Sequence, residues 1–373
     1  MTKKRIFLLA MVFLILGMLV YLQFRTWSRF DWPTFLRVTG GISSAHLGAA
    51  IAIVYLTYVL RGLRWQIFLR PVARPRLARM VPPQFIGFAG LALLGRPGEF
   101  IRPYLIAKRE NLPVSSQLAV WTVERIFDIG AFAVLMAIDV FFFLGRVPLP
   151  NQVRSRLQIG GGILIALVAL MGVTAWAVKR NSKGVSEWLE AVLGRISGKL
   201  ARSLGHRIHA FGEGLNTIHD GSAFLQLAGV SLGIWFLIAV TYREVLHAYP
   251  MLQAPALHAM NLPRVLLLIG ASMIGSMLQL PAVGGGSQLA TISVMSSPAI
   301  FGIPQEQAVS AGMMLWIVTF FTCVPVGLFF SHHARLSLRK LTVDSHREPD
   351  QVPLQTPMQT SDLRERKQLT SVD

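Results

Sequence analysis

Arg96, Glu99 and Arg102 recur at three-residue steps across the polar break Gly95-Arg96-Pro97-Gly98-Glu99-Phe100-Ile101-Arg102. A helix starting near Pro97 keeps Glu99 and Arg102 neighbours. The free N–H groups at such a helix start favour an anion, and arginine adds a planar fork that matches phosphate oxygens. Two readings stand. Arg96 or Arg102 holds a lipid phosphate while Glu99 orients an arginine or binds an ammonium group, or the same charges form a salt bridge that closes a hairpin.

Glu124, Arg125 and Asp128 form a second cluster inside an apolar run. The two acids are one helical turn apart and share a face. Ionisable groups within a span are expensive and face a partner or a cavity. An internal Glu–Arg pair locking this span to the break fits as well as a substrate or proton site. Arg61 and Arg64 close an earlier run on one face; they either snorkel to headgroups or line the mouth of the same cavity. A second break, Gly284-Gly285-Gly286-Ser287-Gln288 with Gln279 before it, offers neutral hydrogen bonders. A plain packing break is its competing explanation.

These clusters need elements to position them, and composition says which. Of the 373 residues 53% are hydrophobic and 14% charged, with mean hydropathy +0.52, which places the chain in the membrane class. Lys and Arg number 36 against 18 Asp and Glu, for a net charge of +18. The basic residues are scattered along loops, which suits cytoplasmic loops touching anionic lipid and not nucleic-acid binding. Cys323 is single and lies in an apolar run, so it reads as inert packing.

Full spans are expected near 6–24, 46–66, 117–143, 159–178, 222–242 and 305–330, each about 20 residues or more. The first, preceded by Lys3, Lys4 and Arg5, lacks a small-residue cleavage pattern and reads as an uncleaved anchor. The segment 81–94, with Pro82, Pro83 and Gln84, is too short to span and is followed by the amphipathic stretch 99–107. Taking 81–107 as a re-entrant hairpin from the cytoplasm gathers most basic residues on one side, as the positive-inside rule requires. The stretch 264–301, interrupted by Pro281 and the triple glycine, reads as a second hairpin entered from outside. The expected fold is therefore an all-α integral membrane protein: about six full spans plus two re-entrant hairpins, or six to eight hydrophobic segments.

The resulting order, span, span, hairpin, span, repeats once with opposite orientation. Inverted repeats with interrupted helices at matching positions mark transporters. Gly95 precedes Pro113 by the same interval as Gly286 precedes Pro304, an echo of that repeat. Within the membrane domain 1–341, the link 179–221 carries apolar residues at helical spacing with basic residues opposite. It lies in the cytoplasmic interface or packs under the bundle. Residues 342–373 are polar and read as a disordered cytoplasmic tail. No metal spacing, nucleophile elbow or P-loop is found, so neither an enzyme nor a cofactor is expected.

Arg64-Trp65 closing a span, Gly95-Arg96-Pro97-Gly98-Glu99 with Arg102, Glu124-Arg125 with Asp128, and Pro281 before the triple glycine occur in one order. Together they resemble the lysylphosphatidylglycerol synthase transmembrane family, also called flippase-like membrane proteins, over about residues 6–335. The resemblance implies a multi-pass inner-membrane domain, both termini cytoplasmic, that translocates lipids with polar headgroups. It carries over to Arg96, Glu99, Arg102, Glu124, Arg125 and Asp128 as cavity residues. The implied partner is a phospholipid or other anionic lipid, with self-association open. Two departures accompany it. Ser287-Gln288-Leu289 stands where members often have a glutamate, and no soluble aminoacyl-transfer domain follows, so lipid synthesis is not expected. A transferase acting on a polyprenyl-phosphate sugar, with Glu99, Glu124 or Asp128 as base, and a non-catalytic partner subunit remain as alternatives.

Overall fold

A computed structural model describes residues 31–143, 150–180, 184, 221–276 and 285–333, and among them all regular structure is helical. The order begins α1 (Trp32–Gly40), α2 (Ser44–Leu69), α3 (Leu77–Leu94), a 3₁₀ turn (Arg96–Phe100) and α4 (Ile101–Glu110). Then come α5 (Val114–Ile138), extended by a π turn (Asp139–Phe143), α6 (Asn151–Arg180) and α7 (Gly221–His247). After these follow α8 (Leu262–Gly275), α9 (Gly286–Ser296) and α10 (Gln305–Trp316), which passes through a second π turn (Ile317–Phe321) into α11 (Cys323–His333).

Among the described residues six helices are long and apolar enough to cross a membrane: Ser44–Leu69, Leu77–Leu94, Val114–Phe143, Asn151–Leu170, Gly221–His247 and Gln305–His333. Helix is what apolar runs must form in lipid, because only helix satisfies every backbone N–H and C=O within the segment. This is an all-α, multi-pass membrane protein. Five of these helices match the expected spans from 46–66 onward. The expected span 6–24, the tail 342–373 and most of the link 179–221 lie outside the described residues.

The sixth helix, α3, starts at Leu77, before the expected 81, and so reaches 18 residues. It runs on through Pro82 and Pro83. The bonds these prolines forfeit are those to the carbonyls of Ala78 and Arg79, near the helix start. The helix start expected near Pro97 is a 3₁₀ turn, with α-helix only from Ile101.

The chain divides into two compact units, the first of residues 1–60, 129–168 and 230–323, the second of residues 61–128, 169–229 and 324–373. In the second unit α3, the 3₁₀ turn and α4 fold into a hairpin. Gly98 meets the backbone of Gly90 so closely that a Cβ on Gly98 would overlap it. A Cβ on Gly87 would come within 2.7 Å of Arg102 Cβ. Ile86, Ile101, Tyr104 and Leu105 form the apolar seam, with Leu94, Val114 and Phe330 against it. In lipid such a seam is held by van der Waals packing.

The first unit holds the other hairpin, α8 against α9. A Cβ on Gly275 would overlap the carbonyl of Gly286. Asn261 caps α8, its side chain accepting from Arg264 N–H at 3.3 Å. Ser310 of α10 shares hydrogen bonds with Thr39 of α1 at 2.7 Å and with Tyr249 at 2.8 Å. Burial pushes the Tyr249 phenol above its ordinary pKa, offset in part by the Ser310 bond.

The two hairpins share a backbone pattern. Among the described residues the positive-φ positions are Gly95 (72°), Asn111 (53°), Gly285 (67°) and Gly302 (59°). Gly95 and Gly285 each cap the second arm of a hairpin. Asn111 and Gly302 each stand two residues before the proline, Pro113 or Pro304, that leads into the next helix. The left-handed φ falls on Gly285, one residue before Gly286, the glycine that the sequence interval pairs with Gly95.

Candidate functional site

The last turns of α2 place Arg61, Arg64 and Trp65 in the second unit. Arg61 and Arg64 are three residues apart and so share a face. Helix α5 presents Glu124 and Asp128 by the same rule, with Arg125 beside them. Arg102 comes from the first turn of α4, and Gln84 and Phe88 come from α3. Of the eight charged residues expected around the first break and the neighbouring spans, six meet in one ion-paired cluster: Arg61, Arg64, Arg102, Glu124, Arg125 and Asp128.

Arg64 Nη1 donates to Asp128 Oδ1 at 2.7 Å, and Nη2 to Asp128 Oδ2 at 3.3 Å and to Glu124 Oε1. Glu124 also accepts from Trp65 Nε1 at 2.8 Å. Arg102 Nη2 lies 2.8 Å from Glu124 Oε2, and its Nη1 donates to Glu124 Oε1 at 3.1 Å and to Gln84 Oε1 at 3.2 Å. Arg64 and Glu124 are fully buried and Arg102 nearly so. The snorkelling explanation for Arg64 therefore fails. Its charge is neutralised inside the unit by two carboxylates, and no headgroup is needed.

Arg61 and Arg125 are held more loosely. Arg61 Nη1 is 3.9 Å from both Glu124 Oε1 and Asp128 Oδ2. Arg125 Nη2 is 3.6 Å from Glu124 and 3.4 Å from Asp128, with its side chain 38% exposed. Aromatic faces complete their surroundings. Arg61 and Arg102 lie 4.9 and 5.4 Å from the Phe88 ring centre, and Arg125 lies 5.8 Å from Trp121. Such contacts are worth about 0.5–2 kcal/mol.

Beside this cluster is a small open cleft lined by Gly87, Phe88, Leu91, Glu99, Arg102, Trp121 and Arg125. Arg61 Nε, Gln84 Nε2, Trp121 Nε1 and Arg125 Nε are buried without a hydrogen-bond partner. All four are donors. Four arginines face two carboxylates in the cluster, with Glu99 as a third carboxylate at the cleft. The arrangement has unspent donors and positive charge, which suits an anion with several oxygens.

Other expected site residues are placed differently. Arg96 opens the 3₁₀ turn, and its side chain lies outside the described residues. Gly284 and Gln279 also lie outside them. Gly285, Gly286, Ser287 and Gln288 belong to the first unit, where they start α9. There Ser287 is buried and its carbonyl accepts from Thr291 Oγ1 at 2.7 Å. Sequence reasoning gave no role to Gln84, Phe88 or Trp121, or to Trp65 as a donor. A lone amide in an apolar helix and a tryptophan next to Arg64 were the available signals.

The sequence matches the family described as "Lysylphosphatidylglycerol synthase TM region" over residues 7–327. It is 24% identical over 293 residues to a UPF0104 membrane protein of Methanothermobacter thermautotrophicus, covering 75% of this chain and 82% of that protein. It is 27% identical over 236 residues to the protein named glycosyltransferase AglD of Haloferax volcanii, covering 57% of this chain. The matched stretch spans 37% of the length of that relative. No solved structure matches.

Proposed function

The chain belongs to the lysylphosphatidylglycerol synthase transmembrane family, and from that premise we propose that it moves a lipid with a phosphate-bearing headgroup across the membrane. The observation that carries this reading is a cleft lined by Arg102 and Arg125, where two lining residues, Trp121 and Arg125, keep unpartnered donors at Nε1 and Nε. A phosphate would take up those donors, and the arginine forks fit its oxygens. Glu99 at the same cleft suits an amine on the headgroup.

Alternating access between two inverted halves is the mechanism we favour. The paired left-handed positions Gly95 with Gly285 and Asn111 with Gly302 support it, since each unit carries one hairpin of the same local design. In this reading the protein sits in the inner membrane with both termini cytoplasmic, the arrangement that keeps its basic loops inside.

The test is reconstitution into liposomes carrying labelled anionic phospholipids. Transbilayer movement faster than in empty vesicles, and lost in Arg102→Ala with Arg125→Ala, is the expected result. No acceleration over empty vesicles overturns the reading.

A second reading is a transferase acting on a lipid-linked phosphate sugar, favoured by the name of the Haloferax relative, a glycosyltransferase. Glu99 lines the cleft, whereas Glu124 and Asp128 are buried among arginines, so Glu99 is the base assigned in this reading. It predicts that Glu99→Gln ends product formation while lipid binding persists.

A further inference from the structure

Asp139 is a single acid in the apolar run that ends the third span, at the start of the π turn Asp139–Phe143. It is 1% exposed, and neither of its carboxylate oxygens has a hydrogen-bond partner. Burying an uncompensated carboxylate costs several kcal/mol or more. π turns inside helices are frequent at functional sites, and ionisable groups inside spans mark ion or proton pathways. Packing alone would be better served by a residue without charge.

Its surroundings lie within the first unit. Helix α8, the first arm of the second hairpin, packs on the π turn. One turn before Asp139, Met136 covers Gly270 of α8, where a Cβ would come within 2.9 Å of Met136 Cε. Val140 lies over Gly161 of α6, and Phe132 packs on Trp235 of α7 with ring centres 5.2 Å apart.

The titratable groups of α7 and α8 are engaged elsewhere. Arg264, the ionisable residue of α8, donates to Ala259 O at 2.8 Å. On α7, Arg243 pairs with Glu244 at 3.0 Å and Glu244 with His46 at 2.8 Å. Tyr242 shares a hydrogen bond with Ser272 at 3.1 Å, and His247 stacks on His258. Arg154 and Arg156 stand at the start of α6. On its own helix, the nearest charged group toward the start of α5 is Asp128, about 16 Å away along the axis.

We propose that Asp139 binds a proton, and that its protonation state sets how α8 packs. The carboxylate takes a proton from water at one membrane face, becomes the neutral acid, and returns the proton as the hairpin shifts. No electron moves and no other bond is made or broken. The role of this proton as the coupling ion rests on the transport reading above. A proton bound at Asp139 does not.

The experiment uses the full chain in lipid nanodiscs. Infrared difference spectra between alkaline and acidic buffer are expected to show a carboxylic C=O band that Asp139→Asn lacks and Asp139→Glu shifts. In a Cys323→Ser background, maleimide labelling of Ser276→Cys at the end of α8 is expected to change with pH. Adding Asp139→Asn should abolish that change, and comparing the two backgrounds at each pH cancels the reagent's own pH dependence. A C=O band unchanged in Asp139→Asn, or the same labelling profile in both backgrounds, overturns the proposal. In liposomes, an imposed proton gradient should alter lipid movement by wild type and Asp139→Glu and lose its effect in Asp139→Asn. If wild type moves no lipid while the infrared and labelling differences persist, the transport reading fails and the proton site stands.

Discussion

Glu124 accepts from Arg102 through both carboxylate oxygens, at 2.8 and 3.1 Å, and with that pair helix α5 is tied to the hairpin. Arg64 and Trp65 bring α2 to the same carboxylate. One buried side chain thus joins three elements that are distant in sequence. Its removal should be felt as a loss of structure before any loss of binding.

Glu124→Gln is therefore expected to destabilise the protein by about 3–5 kcal/mol, because it leaves Arg64 and Arg102 buried with too few counter-charges. Thermal unfolding in detergent, followed by tryptophan fluorescence, measures the drop in Tm. An unchanged Tm would show that the cluster contributes little to the fold.

Trp65→Phe keeps an aromatic face beside Arg102 and deletes the indole donor to Glu124. A hydrogen bond to a charged group is worth about 1.5–3 kcal/mol. A Tm shift smaller than that of Glu124→Gln, in the same assay, is expected.

Arg125→Ala separates binding from stability. Its side chain is the most exposed of the four arginines, and its carboxylate contacts are long. Pairs of this kind contribute about 0–1 kcal/mol, so Tm should barely move while anionic lipid retained in native mass spectra falls. Equal losses in Tm and lipid would place Arg125 among the structural charges.

Gly98→Ala tests the closure of the first hairpin. A methyl group would have to enter the backbone of Gly90, and overpacking of this kind costs about 1–3 kcal/mol or more. Lower expression and lower Tm are expected. The same change at Gly130, with open space around it, should leave both nearly unaltered.

The long spans were legible because apolar composition over about 20 residues leaves helix as the solution in lipid. The grouping of Arg102 with Glu124, Arg125 and Asp128 was legible because charges in an apolar run need one another. That Arg61 and Arg64 join them buried was not, since a helix end permits snorkelling and burial alike. Gln84, Phe88 and Trp121 escaped notice because their part depends on which face of a helix meets the hairpin. Asp139 was overlooked because a lone acid has no spacing to read. The one-residue offset between Gly95 and Gly285 could be found only from backbone angles.

Gly95, Asn111, Gly285 and Gly302 impose handedness and leave side-chain charge unconstrained. A break built this way can be refitted: the residues after Gly95 can carry arginine and glutamate while those after Gly285 stay neutral, with the path of the chain preserved. Chemical asymmetry between the halves then needs no new architecture. Under the transport reading proposed above, exchanging the headgroup preference becomes a problem of redecorating one short segment, with the four left-handed pivots kept as fixed points.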